Sequence, residues 1–477
     1  MKEMSKQPKQ LDKVLSKFDV LCLAIGAMLG WGWVVLSGTW LNSAGSLGTL
    51  IAFLVGGLLV IFVGLTYAEL ASAMPKVGGE HVFVKRGLGK KASFVGSWAI
   101  VLGYVSVVTF EAVALPTVLD YLIPNYQTGY LWTINGWDVY LTWVLVGSVG
   151  AVILTAINYF GLKTAAFLQV VLTVAIVGIG ILLIFGSGIN GDTKNLEPLF
   201  IGGAGGIMTV LVMVPFLFVG FDVIPQVAEE ANLPAREIGK ILIISVSAAI
   251  VFYMLIALGV GMSLNKGALE ISQLATADAM AAAFNSPLFG KILIIGGIAG
   301  IVTSWNAFII GGSRVIYAMA QDGMLPSWFG RLHPKYNTPS NAVIFLGALA
   351  VFAPLLGRPA LVWIVDAGGL GIVIAYLMVA LSFVALRKKE PQMNRPFKAG
   401  KTTFVGWLGV IFSIGFIALY MPGMPAALIW PYEWVMVLGW TLIGAYFFIK
   451  MNKGVYHSND EEIQVNDTDS SVDAKIN

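Results

Sequence analysis

The sequence predicts an all-α integral membrane protein with twelve transmembrane helices. Hydrophobic residues make up 57% of the 477 positions and charged residues only 12%, which leaves too little polar surface for a soluble protein of this length. Twelve apolar stretches have close to the roughly 20 residues that a helix needs to cross the hydrocarbon core. In the first and the sixth stretches, glycines interrupt the helical pattern near the middle.

The predicted spans follow one another with short polar connections. Their bounds are 18–42, 46–74, 93–121, 139–158, 164–186, 203–227, 239–264, 289–318, 341–357, 360–386, 403–420 and 432–450. Spans 1 and 6 both break, and each opens a run of five spans, as in an inverted repeat of five plus five. This pattern divides the chain into a first repeat at 18–186, a second at 203–386 and two further helices within 403–450.

Both termini are predicted to be cytoplasmic. With this orientation, 25 of the 29 Lys and Arg residues lie on the cytoplasmic side, as the positive-inside rule requires. The predicted location is the cell membrane, which the chain crosses several times. The segment 1–17 lacks a signal-peptide cleavage site. Leu11, Val14 and Leu15 fall at helical spacing within it, which favours an amphipathic surface helix, with a solvated leader as the alternative. The acidic tail 451–477 is predicted to be disordered.

The break in span 1 is a candidate binding site. We expect it at Gly26, Gly30 and Gly32, since each glycine costs a helix about 1 kcal/mol relative to alanine. The amides of Trp31 and Gly32 would open the second half-helix, whose dipole suits a carboxylate, and carbonyls such as that of Met28 suit an ammonium group. Close helix packing is the alternative explanation of the glycines. The matching break in span 6 favours binding.

Among the carboxyl groups in predicted spans, we single out those of Glu111 and Asp222, because an ionised group near the membrane centre costs a few kcal/mol. Glu111 in span 3 has no cation nearby in sequence, so desolvation favours its protonated form. It is a candidate proton carrier or counter-charge, with a hydrogen-bonded neutral acid as the alternative. Asp222 begins the second half of span 6, where free amides stabilise its charge. Proton coupling and a purely structural role are both open for Asp222.

Three blocks of residues resemble the amino acid, polyamine and organocation (APC) transporters. They are Gly220, Phe221, Asp222, Ala228, Glu229, Glu230, Asn232, Pro234, Arg236 and Ile238 in span 6; Tyr67, Ala68, Glu69, Leu70, Pro75, Gly78, Gly79 and Glu80 after span 2; and Ser304, Asn306, Gly312, Ser313, Arg314, Tyr317, Ala318, Met319, Ala320, Asp322, Gly323 and Pro326 at span 8. The resemblance extends from about Phe18 to Arg387. It implies the five plus five inverted-repeat fold, alternating access, and a midplane site between spans 1, 3, 6 and 8.

The resemblance also assigns roles in span 6 and marks one departure in span 1. It implies that the carbonyls of Phe216 and Val219 accept the substrate amine and that the Phe216 ring closes over the substrate as a gate. Trp31 stands where the family usually has a small residue, and we predict that it contacts the pocket, with packing against lipid or a neighbouring helix as the alternative. The predicted substrate-binding residues are Ala27, Met28, Gly30, Trp31, Gly32, Phe216, Val219 and Gly220.

The sequence gives fewer indications of the coupling ion than of the substrate site. A proton is expected, and sodium is the alternative, with the hydroxyls of Thr303 and Ser304 as weak candidate ligands. Some proton-coupled relatives carry a lysine in span 5 where this chain has Ile176, which argues against that particular proton route. We predict no cofactor and no other metal.

These features predict a secondary transporter for amino acids or related small amines, working as a proton symporter or as an exchanging antiporter. A polyamine or amino-alcohol carrier is the alternative, in which Glu111 and Asp222 face a second amine. A membrane sensor built on a transporter scaffold would have the same site. An enzyme is not expected, because His81, His333 and His457 lie in predicted loops or the tail, without clustered metal ligands or a nucleophile–base pair. Nothing indicates a nucleic-acid partner.

Overall fold

The computed structural model describes residues 11–272, 274–424 and 427–456, which are largely helical. The first half comprises α1 (Lys17–Met28), α2 (Gly32–Ala73), α3 (Glu80–Leu88), α4 (Lys90–Leu122), β1 (Tyr130–Ile134), β2 (Trp137–Tyr140), α5 (Leu141–Tyr159) and α6 (Leu162–Asn190). The second half comprises α7 (Gly203–Leu211), α8 (Val214–Phe218), α9 (Val223–Gln226), α10 (Ala235–Ser263), α11 (Lys266–Ile271), α12 (Ala275–Ala283), α13 (Pro287–Gln321), α14 (Ser340–Phe352), α15 (Ala360–Lys389), α16 (Phe404–Leu419) and α17 (Tyr432–Asn452). Short 3-10 turns occur at Thr193–Leu196, Ser327–Gly330 and Ala353–Leu356.

The helices confirm an integral membrane protein. Nine stretches of the described chain are long and apolar enough to cross a bilayer: α2, α4, α5, α6, the stretch from α7 to α9, α10, α13, α15 and α17. Two shorter apolar helical stretches lie at Ser340–Leu356 and Phe404–Leu419. Each predicted span overlaps one of these helices or α1.

The long helix α2 contains a bend at Gly45. The backbone there has φ 75° and ψ 174°, outside the helical region. A Cβ at this position would lie 2.7 Å from the carbonyl oxygens of Pro198 and Leu199, so both the dihedral angles and the close approach require glycine. The predicted boundary between spans 1 and 2 coincides with this bend.

A β-hairpin between α4 and α5 departs from the predicted all-α class. Strands β1 and β2 pair antiparallel, with Thr133 opposite Asp138 and Ile134 opposite Trp137. Asn135 and Gly136 form the turn, both with positive φ (48° and 76°). An Asn-Gly pair is the commonest two-residue hairpin turn, so the sequence carried this signal.

The segment before α1 is not the predicted amphipathic helix. Residues 11–16 are non-helical, and the amides of Val14 and Leu15 donate to the Glu230 carbonyl at 3.0 and 3.1 Å, while the Asn232 amide donates to the Leu15 carbonyl at 2.9 Å. Pairing with the chain after α9 therefore replaces helical hydrogen bonds. Residues 1–10, and 457–477 of the predicted disordered tail, lie outside the described residues.

The centre of the molecule is built around α4 and α13. These are the most buried of the long helices, whereas α17 lies at the periphery. Helix α13 packs against α1, α4 and α6, and α10 packs along α2. The breaks of the interrupted helices α1–α2 and α7–α9 are buried, with Leu29, Trp31, Val219 and Phe221 at most 3% exposed, so they are shielded from lipid.

Candidate functional site

The first helix break covers residues 29–31. Helix α1 ends at Met28, and the Leu29 amide still donates to the Ile25 carbonyl at 2.8 Å before the backbone leaves the helix at φ −87° and ψ 42°. Helix α2 begins at Gly32. Because the first amides of a helix have no carbonyl one turn earlier, this break presents main-chain donors at the middle of the protein.

Gly26 does not belong to the break, which corrects the prediction. It lies inside α1, where a Cβ would collide with the side chains of Gln169 and Thr173 on α6. The Thr173 hydroxyl donates to the Cys22 carbonyl at 3.1 Å, so α6 is tied closely to α1 at this point. The alternative explanation, close helix packing, accounts for Gly26.

The second break covers residues 219–222, between α8 and α9. Gly220 has φ 130°, a conformation that other residues rarely adopt. A Cβ on Gly220 would lie 2.7 Å from the Cβ of Ala27 and 2.9 Å from the amide nitrogen of Met28. The two breaks therefore touch, and a glycine is what permits the contact.

A small cavity of about 20 Å³ lies where the breaks meet. Seven of the eight predicted substrate-binding residues border it: Ala27, Met28, Gly30, Trp31, Gly32, Phe216 and Val219. The eighth, Gly220, packs against Ala27 beside it. A volume of this size accommodates about one water molecule. The walls thus lie close together, and a larger solute requires the lining side chains or the half-helices to move.

Glu111 of α4 borders the same cavity. Its side chain is buried, and Oε1 would lie 3.3 Å from a Cβ on Gly30, next to Ser304 of α13. Within the described part of the chain, Oε2 has no hydrogen-bond partner. The described side chains around the cavity include no lysine or arginine. An ionised Glu111 would therefore be an uncompensated charge, which is costly at this depth.

Trp31 and Phe216 form two walls of the cavity. The indole of Trp31 also packs on α13, where a Cβ on Gly297 would lie 2.8 Å from Cε3. Trp31 therefore contacts a neighbouring helix and the cavity at once. The Phe216 ring meets Phe110 edge to face, with 5.7 Å between centroids, and both rings border the cavity.

Asp222 lies on the other side of the second break. Its carboxylate accepts a hydrogen bond from the Gly220 amide at 2.7 Å and one from the Tyr104 hydroxyl at 2.7 Å. The side chain is fully buried and does not border the cavity. Asp222 thus holds the non-helical backbone in place and has no direct contact with the cavity.

Tyr253 of α10 joins the two breaks, and the sequence did not indicate it. Its hydroxyl lies 2.6 Å from the Met28 carbonyl and 3.1 Å from the Leu217 carbonyl. A hydroxyl has one proton, so the shorter contact to Met28 is the main hydrogen bond. A single tyrosine in an apolar run gives no signal of this role, because the role depends on α10 packing beside both breaks.

The hydroxyls of Thr303 and Ser304 have different surroundings. Thr303 donates to the Gly300 carbonyl of its own helix at 3.0 Å, whereas Ser304 faces Gly30 across the cavity. Among the residues that the structure describes, no group of three or more His, Cys, Asp or Glu side chains could hold a metal ion.

Ion pairs connect the C-terminal part of α13 to neighbouring segments of the chain. Arg314 and Glu230 form a buried two-point pair, with nitrogen–oxygen distances of 2.8 and 3.2 Å. Asp322 lies 2.7 Å from both His81 and Lys85 of α3. Burial alone would raise the pKa of Asp322, but the hydrogen bonds from His81 and Lys85 outweigh it and lower the pKa to about 2.

Larger cavities lie elsewhere, and neither is bordered by a helix break. One of about 300 Å³ lies between the first part of α2 and Ala275, and one of about 560 Å³ lies beside Arg387 and Lys401. The small cavity is the one that combines both breaks, main-chain polar groups and a buried carboxyl. We therefore treat it as the candidate functional site.

Helices broken around a central polar cavity are the arrangement of a solute carrier. The chain belongs to the amino acid permease family, whose sequence model matches residues 15–448. The family and the relatives below are transporters and not enzymes.

Three relatives, all from Bacillus subtilis (strain 168), cover most of the chain. The branched-chain amino acid permease BcaP is 28% identical over 462 residues, or 91% of this chain and 92% of the relative. The methylthioribose transporter is 25% identical over 444 residues, or 91% and 92%. The aspartate-proton symporter is 25% identical over 431 residues, or 86% and 79%. The named solutes differ, so similarity at this level does not select one.

Proposed function

We propose that this protein is a secondary active transporter that carries amino acids or related small amines across the cell membrane by alternating access. The closed cavity at the contact of two helix breaks is the observation that carries the proposal. A cavity of about 20 Å³ between movable half-helices is suited to an occluded state of a carrier. A channel would need a continuous pore.

The proposed topology has twelve spans, arranged as an inverted repeat at 18–186 and 203–386 with two more helices within 403–450. The 42 residues of α2 would extend roughly 63 Å at 1.5 Å per residue, too long for one crossing, so Gly45 divides α2 between the end of span 1 and span 2. Helix α1 then joins the first part of α2 as one broken span. The excess of Lys and Arg favours cytoplasmic termini, with 1–17 and 451–477 inside the cell.

In the proposed binding mode, the amides of Trp31 and Gly32 bind the substrate carboxylate. The carbonyls of Met28, Phe216 and Val219 accept its ammonium group, and the Phe216 ring closes over the solute as a gate. The start of α2 supplies free amides and a positive dipole end for the anion. The Trp31 indole limits the space for the substrate side chain.

We infer that a proton is the coupling ion, or that the protein exchanges one amine for another. Glu111 and Asp222 are the candidate proton carriers because both are buried carboxyls without a cation among their described contacts. The similarity to an aspartate-proton symporter supports a proton. Sodium is less well supported, since none of the three relatives named above is described as sodium-coupled.

One observation favours a second candidate function, a polyamine or amino-alcohol carrier. Glu111 borders the cavity without a cation beside it, which suits a substrate with an additional amine. In that case the main-chain carboxylate subsite would stay unused. The similarity to BcaP favours amino acids, and branched-chain amino acids are therefore the first substrates to test.

The test is counterflow in proteoliposomes that contain the purified full chain. Radiolabelled branched-chain, cationic and acidic amino acids, putrescine and ethanolamine are offered to vesicles preloaded with the same unlabelled solute. We expect counterflow of at least one amino acid, abolished when its carboxylate is esterified. Exchange of putrescine or ethanolamine without amino acid exchange would support the alternative, and binding without counterflow would indicate a sensor.

A further inference from the structure

A second group of buried polar side chains lies beside the break at 219–222, away from the cavity. We call it the Glu80 cluster. Its members come from five parts of the fold: Tyr67 of α2, Glu80 of α3, Tyr104 of α4, Asp222 and Gln226 around α9, and Tyr376 of α15. The Glu80 carboxylate accepts a hydrogen bond from the Gln226 amide at 2.6 Å. Asp222 accepts its bond from Tyr104 in the same region.

Several polar atoms of the cluster lack partners. Within the described part of the molecule, no hydrogen bond reaches the hydroxyls of Tyr67 and Tyr376, Oε1 of Glu80 or Oε1 of Gln226. Each of these side chains is at least 97% buried. A buried polar group without a partner costs about 1–3 kcal/mol, and four such groups in one place call for an explanation.

The two unpaired hydroxyls belong to rings that pack beside the break. The rings of Tyr67 and Tyr376 pack against each other and against Phe221 of the break, with centroids 5.4 to 5.8 Å apart. Both hydroxyls lie within electrostatic range of Glu80 and Asp222. Donors and acceptors are therefore grouped in one buried region of the protein.

The cluster holds two carboxyls and no described cation. The nearby cations are engaged elsewhere: Arg314 pairs with Glu230, and Lys85 pairs with Asp322. Two buried carboxyls in one region without a cation favour the protonated form of at least one of them. Burial and the charge of Asp222 raise the pKa of Glu80, which lies outside the membrane-spanning helices, well above its ordinary value.

We propose that Glu80 and Asp222 together bind the proton that is coupled to transport. The proposal rests on the proposed transport function and adds Glu80 to its site. One carboxyl takes up the proton while the break is closed and releases it when the break opens. The titratable groups that face this proton are Tyr67, Tyr104 and Tyr376.

The geometry explains how proton and substrate would be coupled. Asp222 and Gln226 belong to the broken span, whereas Glu80 and Tyr104 belong to α3 and α4. Tilting of α9 would therefore separate the Gln226–Glu80 and Tyr104–Asp222 hydrogen bonds. Val219, three residues before Asp222, borders the cavity. Movement of one four-residue break thus changes the substrate site and the proton site together.

The test compares Glu80→Gln with wild type in proteoliposomes, using the best amino acid of the counterflow panel and an imposed pH gradient. We expect gradient-driven accumulation to fall by at least about tenfold, within the range of typical coupling free energies. Counterflow should remain close to wild type, and substrate-driven proton entry, followed with internal pyranine, should disappear. Glu433→Gln is the matched control, because Glu433 is another buried carboxyl with one oxygen unpaired among described residues.

Several results would overturn this proposal. Normal gradient-driven accumulation by Glu80→Gln would do so, and so would a wild-type protein that exchanges amino acids but ignores the pH gradient. Absence of any wild-type counterflow would instead reject the proposed transport function. If Glu80→Gln also loses counterflow, Gln226→Leu decides. Loss of the hydrogen bond that Glu80 accepts from the Gln226 amide should move half-maximal uptake to higher pH, by roughly one unit, and an unchanged pH profile would overturn the proposal.

Discussion

Replacement of Gly220 by alanine tests whether contact between the two breaks is needed for transport. The new Cβ would lie 2.7 Å from the Ala27 Cβ and 2.9 Å from the Met28 nitrogen, closer than ordinary van der Waals contact. Overpacking of this kind costs about 1–3 kcal/mol. Alanine at φ 130° adds roughly 1–2 kcal/mol of backbone strain.

The overpacking part of this cost, about 1–3 kcal/mol, falls on the closed arrangement, because separation of the breaks relieves the collision. The closed state would lose population by about 5-fold or more relative to open states. We therefore expect turnover in counterflow to fall by a similar factor, while substrate binding to an open state is retained.

The assay pairs counterflow with equilibrium binding in detergent. Gly178→Ala in α6 is the matched control, since a Cβ there meets nothing within 4 Å and the backbone is helical. This control should transport normally. Wild-type turnover by Gly220→Ala would refute the reasoning that the breaks must touch, and equal loss of turnover by the control would indicate a nonspecific effect.

Three further predictions concern the cavity and the end of α13. Trp31→Ser should broaden the range of amino acids that inhibit uptake, and an unchanged inhibition profile would remove Trp31 from the pocket. For a substrate with an additional amine, Glu111→Gln should raise the half-saturation concentration about tenfold, as expected for loss of a hydrogen bond to a charged amine; unchanged affinity for such a substrate would place that amine elsewhere. Asp322 has its pKa lowered from 3.8 to about 2, so its stabilisation is complete above about pH 4 and is lost as pH falls toward 2. The difference in melting temperature between wild type and Asp322→Asn should thus be constant from about pH 5 to 8 and should shrink below about pH 4. A difference that grows on acidification would contradict the pairing of Asp322 with His81 and Lys85.

The apolar helices and the two helix breaks could be predicted because bilayer insertion imposes a strong pattern on sequence. Long apolar runs mark the helices, and glycines near Gly30 and Gly220 mark the breaks. The sequence could not show whether Gly26 unwinds the helix or allows a neighbouring helix to pack closely, because the α6 side chains in contact with Gly26 decide which occurs. The hairpin was missed although Asn135 and Gly136 carry a local turn signal.

Contacts between distant segments could not be predicted in the same way. Tyr253 reaches Met28 across 225 positions of the chain, and Gln226 reaches Glu80 across 146. Neither pair has a local pattern, because hydrophobic periodicity reports which face of a helix is buried and not which helix covers it. In the folded protein, burial and the hydrogen bond from Gln226 distinguish Glu80 from an exposed loop carboxylate.

The cavity and the Glu80 cluster lie on opposite sides of one break, and this arrangement predicts different defects on the two sides. Gly220→Ala acts on the closure of the break itself, so it should impair counterflow and gradient-driven uptake alike. Glu80→Gln leaves closure intact and removes a proton acceptor, so it should impair gradient-driven uptake alone. Identical defects in the two variants would mean that the break does not connect a separate substrate site with a separate proton site.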